Sequence, residues 1–180
     1  MRLVRLGAAL LCAAILVQDA AAQSRGQRKR ETAPQGPPGD RRDQMVAAPG
    51  TAYHGKAYWL GMAQCGGAYF KLGNLYAEEA TRIRAAKPDP AAAAEFTRKS
   101  ETAGRAAATF FDLAERFLMT DRGLSQEDAV HAFDGQATST GDRLKTIDAA
   151  VKAVEPCPAL YETCRTSAAK ICSEKSALTH

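Results

Sequence analysis

Cysteine is the residue type with the clearest chemical potential in this 180-residue chain, which contains five of them. Cys12 lies in an apolar N-terminal leader, and the other four are Cys65, Cys157, Cys164 and Cys172. Neither a CxxC nor a CxxCH motif occurs, so the spacing does not support thiol–disulfide exchange chemistry or covalent haem attachment. A zinc site would need a reducing compartment. An even number of cysteines behind an export leader instead predicts two structural disulfides.

The predicted helix positions restrict how these four cysteines can pair. Cys164 and Cys172 are eight residues apart on one predicted helix, which places them about 12 Å apart along its axis. A disulfide requires Cα atoms within about 7 Å, so an intact helix excludes this pair. Cys157 and Cys172 would be further apart still. The predicted pairs are therefore Cys65–Cys172 and Cys157–Cys164, and the second pair requires a bent or 3₁₀ start between residues 157 and 163.

A histidine and several carboxylates on the third predicted helix have a spacing that suits metal binding. Asp128-x-x-His131 has the i, i+3 spacing of di-iron bundles, but a second such pair and the additional glutamates are missing. Glu127, His131 and Asp134 share one helix face, for which a solvated charged surface is the favoured interpretation. A surface metal site formed with His54 is the alternative.

The hydroxyl and glycine patterns point to no catalytic machinery. No serine or threonine has a recognisable base or a GxSxG setting, and no glycine-rich phosphate loop follows a strand. The sequence therefore predicts no catalytic, cofactor-binding or metal site, and we expect that the protein is not an enzyme and carries no cofactor.

The first 22 residues have the layout of a secretory signal peptide. Arg2 and Arg5 give a positive start, residues 6–17 form an apolar region, and residues 20–22 offer a small-residue cleavage site. The apolar region is short for a membrane span, which needs about 20 residues. An uncleaved anchor is the alternative interpretation. The predicted location is secreted or periplasmic.

Residues 23–50 differ sharply in composition from the rest of the chain. They are rich in Arg, Gly, Pro and Gln, which predicts a disordered linker because little apolar surface can offset the entropy lost on ordering. The linker carries six basic and three acidic residues, whereas residues 51–180 carry 16 of each sign. A neutral domain disfavours nucleic-acid binding. For the linker, a soluble spacer is favoured, and weak contact with anionic surfaces is the alternative.

From residue 51 onward, apolar residues recur at helical spacing and almost nothing alternates as in a strand. Helices are predicted over about 52–86, 90–120, 125–155 and 158–175. Asp89 and Pro90 are suited to begin the second helix, Gly123 to end it, and Ser125 to cap the third. We predict an all-α fold in which residues 51–180 form one antiparallel four-helix bundle, with three long helices and one short C-terminal helix, crosslinked by two disulfides.

The stretch WLGMAQCGGAYFKLG, residues 59–73, is unusually rich in glycine for a predicted helix. Gln64 and Lys71 interrupt its apolar run, so we predict no transmembrane span in the mature chain. Small residues beside the apolar seam permit a short distance between helix axes. The glycines are therefore predicted to mark the close approach of a neighbouring helix, the fourth.

The favoured function is that of an exported helical bundle of structural or protein-interaction type, whose partner would be a protein of the cell envelope. The alternative is a periplasmic module that binds a small apolar ligand or haem in the bundle core. Its ligand would contact Tyr58, Tyr69, Tyr76, Phe110 and Phe117. A core cavity would favour the ligand-binding module, whereas a filled core would oppose it.

Overall fold

The computed structural model of the protein describes residues 43–86 and 89–172, all of which belong to one compact unit of the chain. Its helices are α1 (Tyr58–Ala86), α2 (Pro90–Arg122), α3 (Gln126–Arg143), α4 (Ile147–Val154), α5 (Cys157–Ser167) and α6 (Ala169–Cys172). The extended pairing among the described residues is a single bridge between Met45 and Ala57. The helical class is confirmed. The predicted signal peptide, residues 1–22, and residues 23–42 of the predicted linker lie outside the described residues.

Helix α2 begins and ends at the capping residues that the sequence predicts. The Asp89 carboxylate accepts a hydrogen bond from the Ala92 backbone N–H at 2.9 Å, and Pro90 occupies the first turn. At the other end, Gly123 has a φ of 63°, the left-handed conformation that favours glycine. The helix defined by these caps is 33 residues long and packs along α1 as the main helix pair of the fold.

The third predicted helix, residues 125–155, is two helices in the structure. Ser125 caps α3 as predicted, but the helix ends where Leu144 adopts an extended conformation with φ −94° and ψ 102°. Thr146 then caps α4, its hydroxyl accepting a backbone hydrogen bond from the first turn. The break allows Leu144 to pack against the buried cluster around Leu72 of α1. The predicted division into three long helices and one short helix is therefore not confirmed, because the described residues form six helices.

Aromatic rings from α1 and α2 pack against one another in the core. Tyr58 stacks on Phe117 with ring centroids 5.0 Å apart, and Tyr69 stacks on Phe110 at 5.6 Å. Such pairs gain free energy beyond the area that they bury. These four rings were predicted as ligand contacts in the alternative binding module. In the structure these four rings contact each other in two stacked pairs.

The segment before α1 packs on the helices. Val46 is only 1% exposed. Gln44 donates two hydrogen bonds to the Asp121 carboxylate, from its backbone N–H at 2.8 Å and from its side-chain Nε2 at 2.7 Å. Residues 43–50, which composition assigned to the disordered linker, are therefore part of the folded unit. Composition did not indicate this packing, because the burial of Val46 and the pairing of Gln44 depend on residues that are distant in sequence.

None of the described helices combines the length and apolar character needed to cross a bilayer. The stretch 59–73 instead lies in α1, where most of its residues are buried against other helices of the protein.

Candidate functional site

The four cysteines form two disulfides, but their partners differ from the predicted ones. Cys65 is bonded to Cys157 and Cys164 to Cys172, with Cα–Cα distances of 5.8 and 5.9 Å. All four side chains are buried. The prediction of two disulfides is confirmed, whereas the predicted pairs Cys65–Cys172 and Cys157–Cys164 are wrong.

Cys164 can pair with Cys172 because the C-terminal helix is not continuous. Ala168 leaves the helical conformation with φ −125° and ψ 44°, so α5 ends at Ser167 and α6 begins at Ala169. An unbroken helix would hold the two cysteines about 12 Å apart along its axis. The observed Cα–Cα distance is 5.9 Å. The sequence prediction assumed an intact helix, and the apolar spacing does not reveal the break.

The pairing of Cys172 within the C-terminal segment leaves Cys65 to bond with Cys157 at the start of α5. This bond joins residues separated by 92 positions and fixes α5 against α1. The Tyr53 hydroxyl donates a hydrogen bond to Cys65 Sγ at 3.2 Å. The Tyr53 ring also lies against Gly61, and burial raises the pKa of the Tyr53 hydroxyl. A buried and covered disulfide suits crosslinking rather than exchange chemistry.

The side chains considered as metal ligands lie on exposed parts of the surface. Asp128 accepts a hydrogen bond from the Ser125 hydroxyl at 2.7 Å and belongs to the α3 cap. His131 and Asp134 are exposed on α3, and His54 is exposed in the segment before α1. In the part of the chain that the structure describes, no group of three or more His, Cys, Asp or Glu residues is placed to hold a metal ion.

A cluster of Asp43, Trp59 and Arg122, here called the anchor cluster, attaches the N-terminal segment to the end of α2. The Arg122 guanidinium donates two hydrogen bonds to the Asp43 carboxylate, at 2.8 and 2.7 Å, and the Trp59 indole N–H donates a third at 3.1 Å. Arg122 also lies over the Trp59 ring, 4.9 Å from its centroid. Hydrogen bonding to Arg122 lowers the pKa of Asp43, and the same contact raises the pKa of Arg122.

The glycines of residues 59–73 mark close helix contacts, but mostly not with the predicted neighbour. A Cβ at Gly67 would overlap the backbone carbonyl of Ala137 in α3, and a Cβ at Gly66 would overlap the Phe111 ring in α2. Only Gly61 faces the C-terminal part, where an added Cβ would lie 3.0 Å from Leu160 of α5. The close approach is confirmed, and the prediction of the fourth helix as the general neighbour is wrong.

A groove of about 320 Å³ lies beside this close contact, and we call it the α1–α3 groove. One side consists of Gly67, Phe70, Lys71 and Asn74 of α1, whose spacing places them on one helix face. Phe111 of α2 also lines it. The groove forms because the two helix backbones touch at Gly67, which leaves the larger side chains at its borders.

The other side of the α1–α3 groove is formed by one face of α3. Its residues are Asp134, Ala137, Thr138, Gly141 and Asp142. The residues nearest α1, Ala137 and Gly141, are small, whereas Asp134 and Asp142 are exposed. The groove therefore combines a floor of small residues with a carboxylate toward each end of the α3 face.

Phe70 is the most exposed large apolar side chain among the described residues, at 57%. It has no aromatic partner among those residues, whereas neighbouring Phe111 is stacked on Phe133 with centroids 5.5 Å apart. An isolated exposed apolar side chain is common on protein surfaces. Phe70 differs because it borders a groove.

Charged side chains of both signs border the α1–α3 groove. Lys71 lies on the α1 side, and Asp134 and Asp142 lie on the α3 side. Within the described residues, none of these three forms an ion pair.

Sequence reasoning missed the α1–α3 groove. It assigned Tyr69 to the bundle core and gave no role to the neighbouring Phe70, and it placed Asp134 on a solvated face. The available signal was a phenylalanine immediately beside Tyr69, a residue expected in the core. The groove could not be recognised without knowing that Gly67 contacts α3.

Comparison of the chain with protein-family models, with curated proteins and with solved structures found no match. Its function is therefore inferred from the geometry of its own residues.

Proposed function

We propose that the protein is an exported, non-enzymatic helical bundle that acts by contact with a protein partner in the cell envelope, and that the α1–α3 groove is its contact surface. The observation that carries this proposal is the 57% exposure of Phe70 at the border of the groove. Burial of an exposed phenylalanine side chain contributes on the order of 2 kcal/mol. Aromatic anchors seated in pockets supply much of the binding free energy in protein interfaces.

The packing beneath the groove supports this role. Its floor lies where the α1 and α3 backbones meet at Gly67, and Phe111 is held between Gly66 and Phe133. A surface that is already in its binding geometry loses little conformational entropy on association. The two disulfides are also typical of proteins that work in an oxidising compartment, as an exported protein would.

Site-specific photocrosslinking tests the proposal. A photoreactive phenylalanine analogue replaces Phe70 in the full chain produced in its native cells. The same analogue at Met119 is the matched control, because Met119 is also an exposed apolar residue, at 40%, and does not line the groove. We expect a covalent adduct with a defined polypeptide from position 70 and none from position 119. Absence of an adduct at position 70, or equal adducts at both positions, would overturn the proposal.

A further inference from the structure

The surface around the α1–α3 groove carries an exposed aromatic ring beside a groove. Phe70 offers an exposed ring, and the floor of the groove beside it is the contact of Gly67 with Ala137 and Gly141. A cavity of about 150 Å³ is sufficient to hold a benzene molecule. The groove volume of about 320 Å³ therefore has room for the phenyl ring of a second molecule.

The same surface is complementary to itself in charge. Lys71 lies on the α1 side of the groove, and Asp134 and Asp142 lie on the α3 side. In a twofold symmetric interface the same patch from two copies meets, so that each residue on one side contacts its complement on the other copy. Lys71 of one copy would then face the α3 carboxylates of its partner, and the reverse contact would form as well.

We propose that the α1–α3 groove binds a second copy of this chain, forming a twofold dimer. Phe70 of each protomer enters the groove of its partner, and Lys71 pairs with Asp134 or Asp142 across the interface. The proposal rests on the proposed function and names the partner. A second copy supplies an aromatic ring, a cation and two carboxylates at the spacing of the groove itself, whereas another partner would have to provide each of these independently.

Sedimentation equilibrium of the purified, oxidised protein tests this proposal through a charge exchange. The first variant is Lys71→Glu, which makes the border of the groove wholly acidic. The second is Asp134→Lys/Asp142→Lys, which makes it wholly basic. Lys152→Glu on α4 is the control, since it changes the net charge as Lys71→Glu does but lies outside the groove lining. Circular dichroism establishes that each variant is folded.

We expect a concentration-dependent dimer for the wild-type protein and for Lys152→Glu. Each groove variant alone should dimerise at least tenfold more weakly, because like charges then meet at the interface. An equimolar mixture of the two groove variants should form a heterodimer at least as tight as the wild-type dimer, because acidic and basic grooves then face each other. Phe70→Ala should weaken the wild-type dimer at least tenfold.

A wild-type protein that stays monomeric up to millimolar concentration would overturn the dimer proposal. A dimer that is equally tight in all the variants would also overturn it, because the interface would then lie elsewhere. A monomeric protein that still gives a position-70 adduct with a different polypeptide would exclude the second copy but leave the proposed function standing. A monomeric protein with no such adduct would contradict both.

Discussion

Gly67 is the residue on which the geometry of the α1–α3 groove depends most strongly. The Ala137 backbone occupies the position that a side chain would take, and a Cβ at Gly141 would lie 3.5 Å from the Gly67 carbonyl oxygen. Glycine normally weakens a helix interior by up to about 1 kcal/mol relative to alanine. At position 67 glycine is nevertheless required, because any side chain would separate the α1 and α3 backbones.

We therefore expect Gly67→Ala to lower the free energy of unfolding by about 1–3 kcal/mol, since the added methyl group must displace backbone rather than a flexible side chain. Gly104→Ala is the matched control, because Gly104 lies within α2 with nothing within 4 Å of an added Cβ. That control should stabilise the protein by up to about 1 kcal/mol. Urea denaturation measures the free energy of unfolding of both variants. Equal changes for Gly67→Ala and Gly104→Ala would contradict close packing at Gly67.

The anchor cluster predicts a pH-dependent contribution to stability from Asp43. Its pKa is lower in the folded protein because Arg122 hydrogen-bonds the carboxylate. The Asp43 carboxyl group of the unfolded chain, with an aspartate pKa of about 3.9, therefore binds a proton more readily than the same group in the folded protein. The stabilisation is present above the unfolded pKa and is lost as the pH falls through the lower folded pKa.

Asp43→Asn should thus reduce stability at pH 7 by up to about 1 kcal/mol, since the ion pair is partly exposed. The difference from the wild-type protein should shrink steadily as urea denaturation is repeated from pH 5 to about pH 3. Glu101→Gln, at an exposed position on α2, serves as the control and should show a smaller effect at pH 7. If the stability difference between the wild-type protein and Asp43→Asn grows as the pH falls, the pKa of Asp43 is not lowered by folding.

The caps of the helices could be predicted from the sequence, whereas the positions at which helices are interrupted by packing against distant residues could not. The side chain of Asp89 and the φ of Gly123 act within a few residues of their own positions, so the sequence indicated both ends of α2. The break at Leu144 depends on packing against Leu72, which is distant in sequence. The break at Ala168 changed the cysteine partners, because the predicted pairing assumed that this segment was helical.

The two disulfides should contribute unequally to stability because they close loops of very different length. Their partners are separated by 92 and 8 positions. In the chain-entropy model, removal costs about 4.6 kcal/mol for the longer loop and about 2.6 kcal/mol for the shorter. Cys65→Ala/Cys157→Ala should therefore destabilise the protein by about 2 kcal/mol more than Cys164→Ala/Cys172→Ala, as measured by urea denaturation. A larger destabilisation from Cys164→Ala/Cys172→Ala than from Cys65→Ala/Cys157→Ala would contradict the observed pairing.

At the scale of the whole molecule, the α1–α3 groove is a product of three helices. Phe70, Phe111 and Asp134 come from α1, α2 and α3, and each alone has an ordinary local explanation. The sequence indicated an all-α, disulfide-linked protein because those properties follow from periodicity and cysteine count. It could not indicate the groove, since the position of α3 against Gly67 is set by contacts across the fold.

If the protein acts through the α1–α3 groove around Phe70, photocrosslinking from position 70 in the native cell detects the partner bound there. A defined covalent adduct at position 70, with none at the exposed control position 119, is the predicted result. If position 70 forms the same adducts as position 119, or forms none, the groove is not the contact surface of this protein.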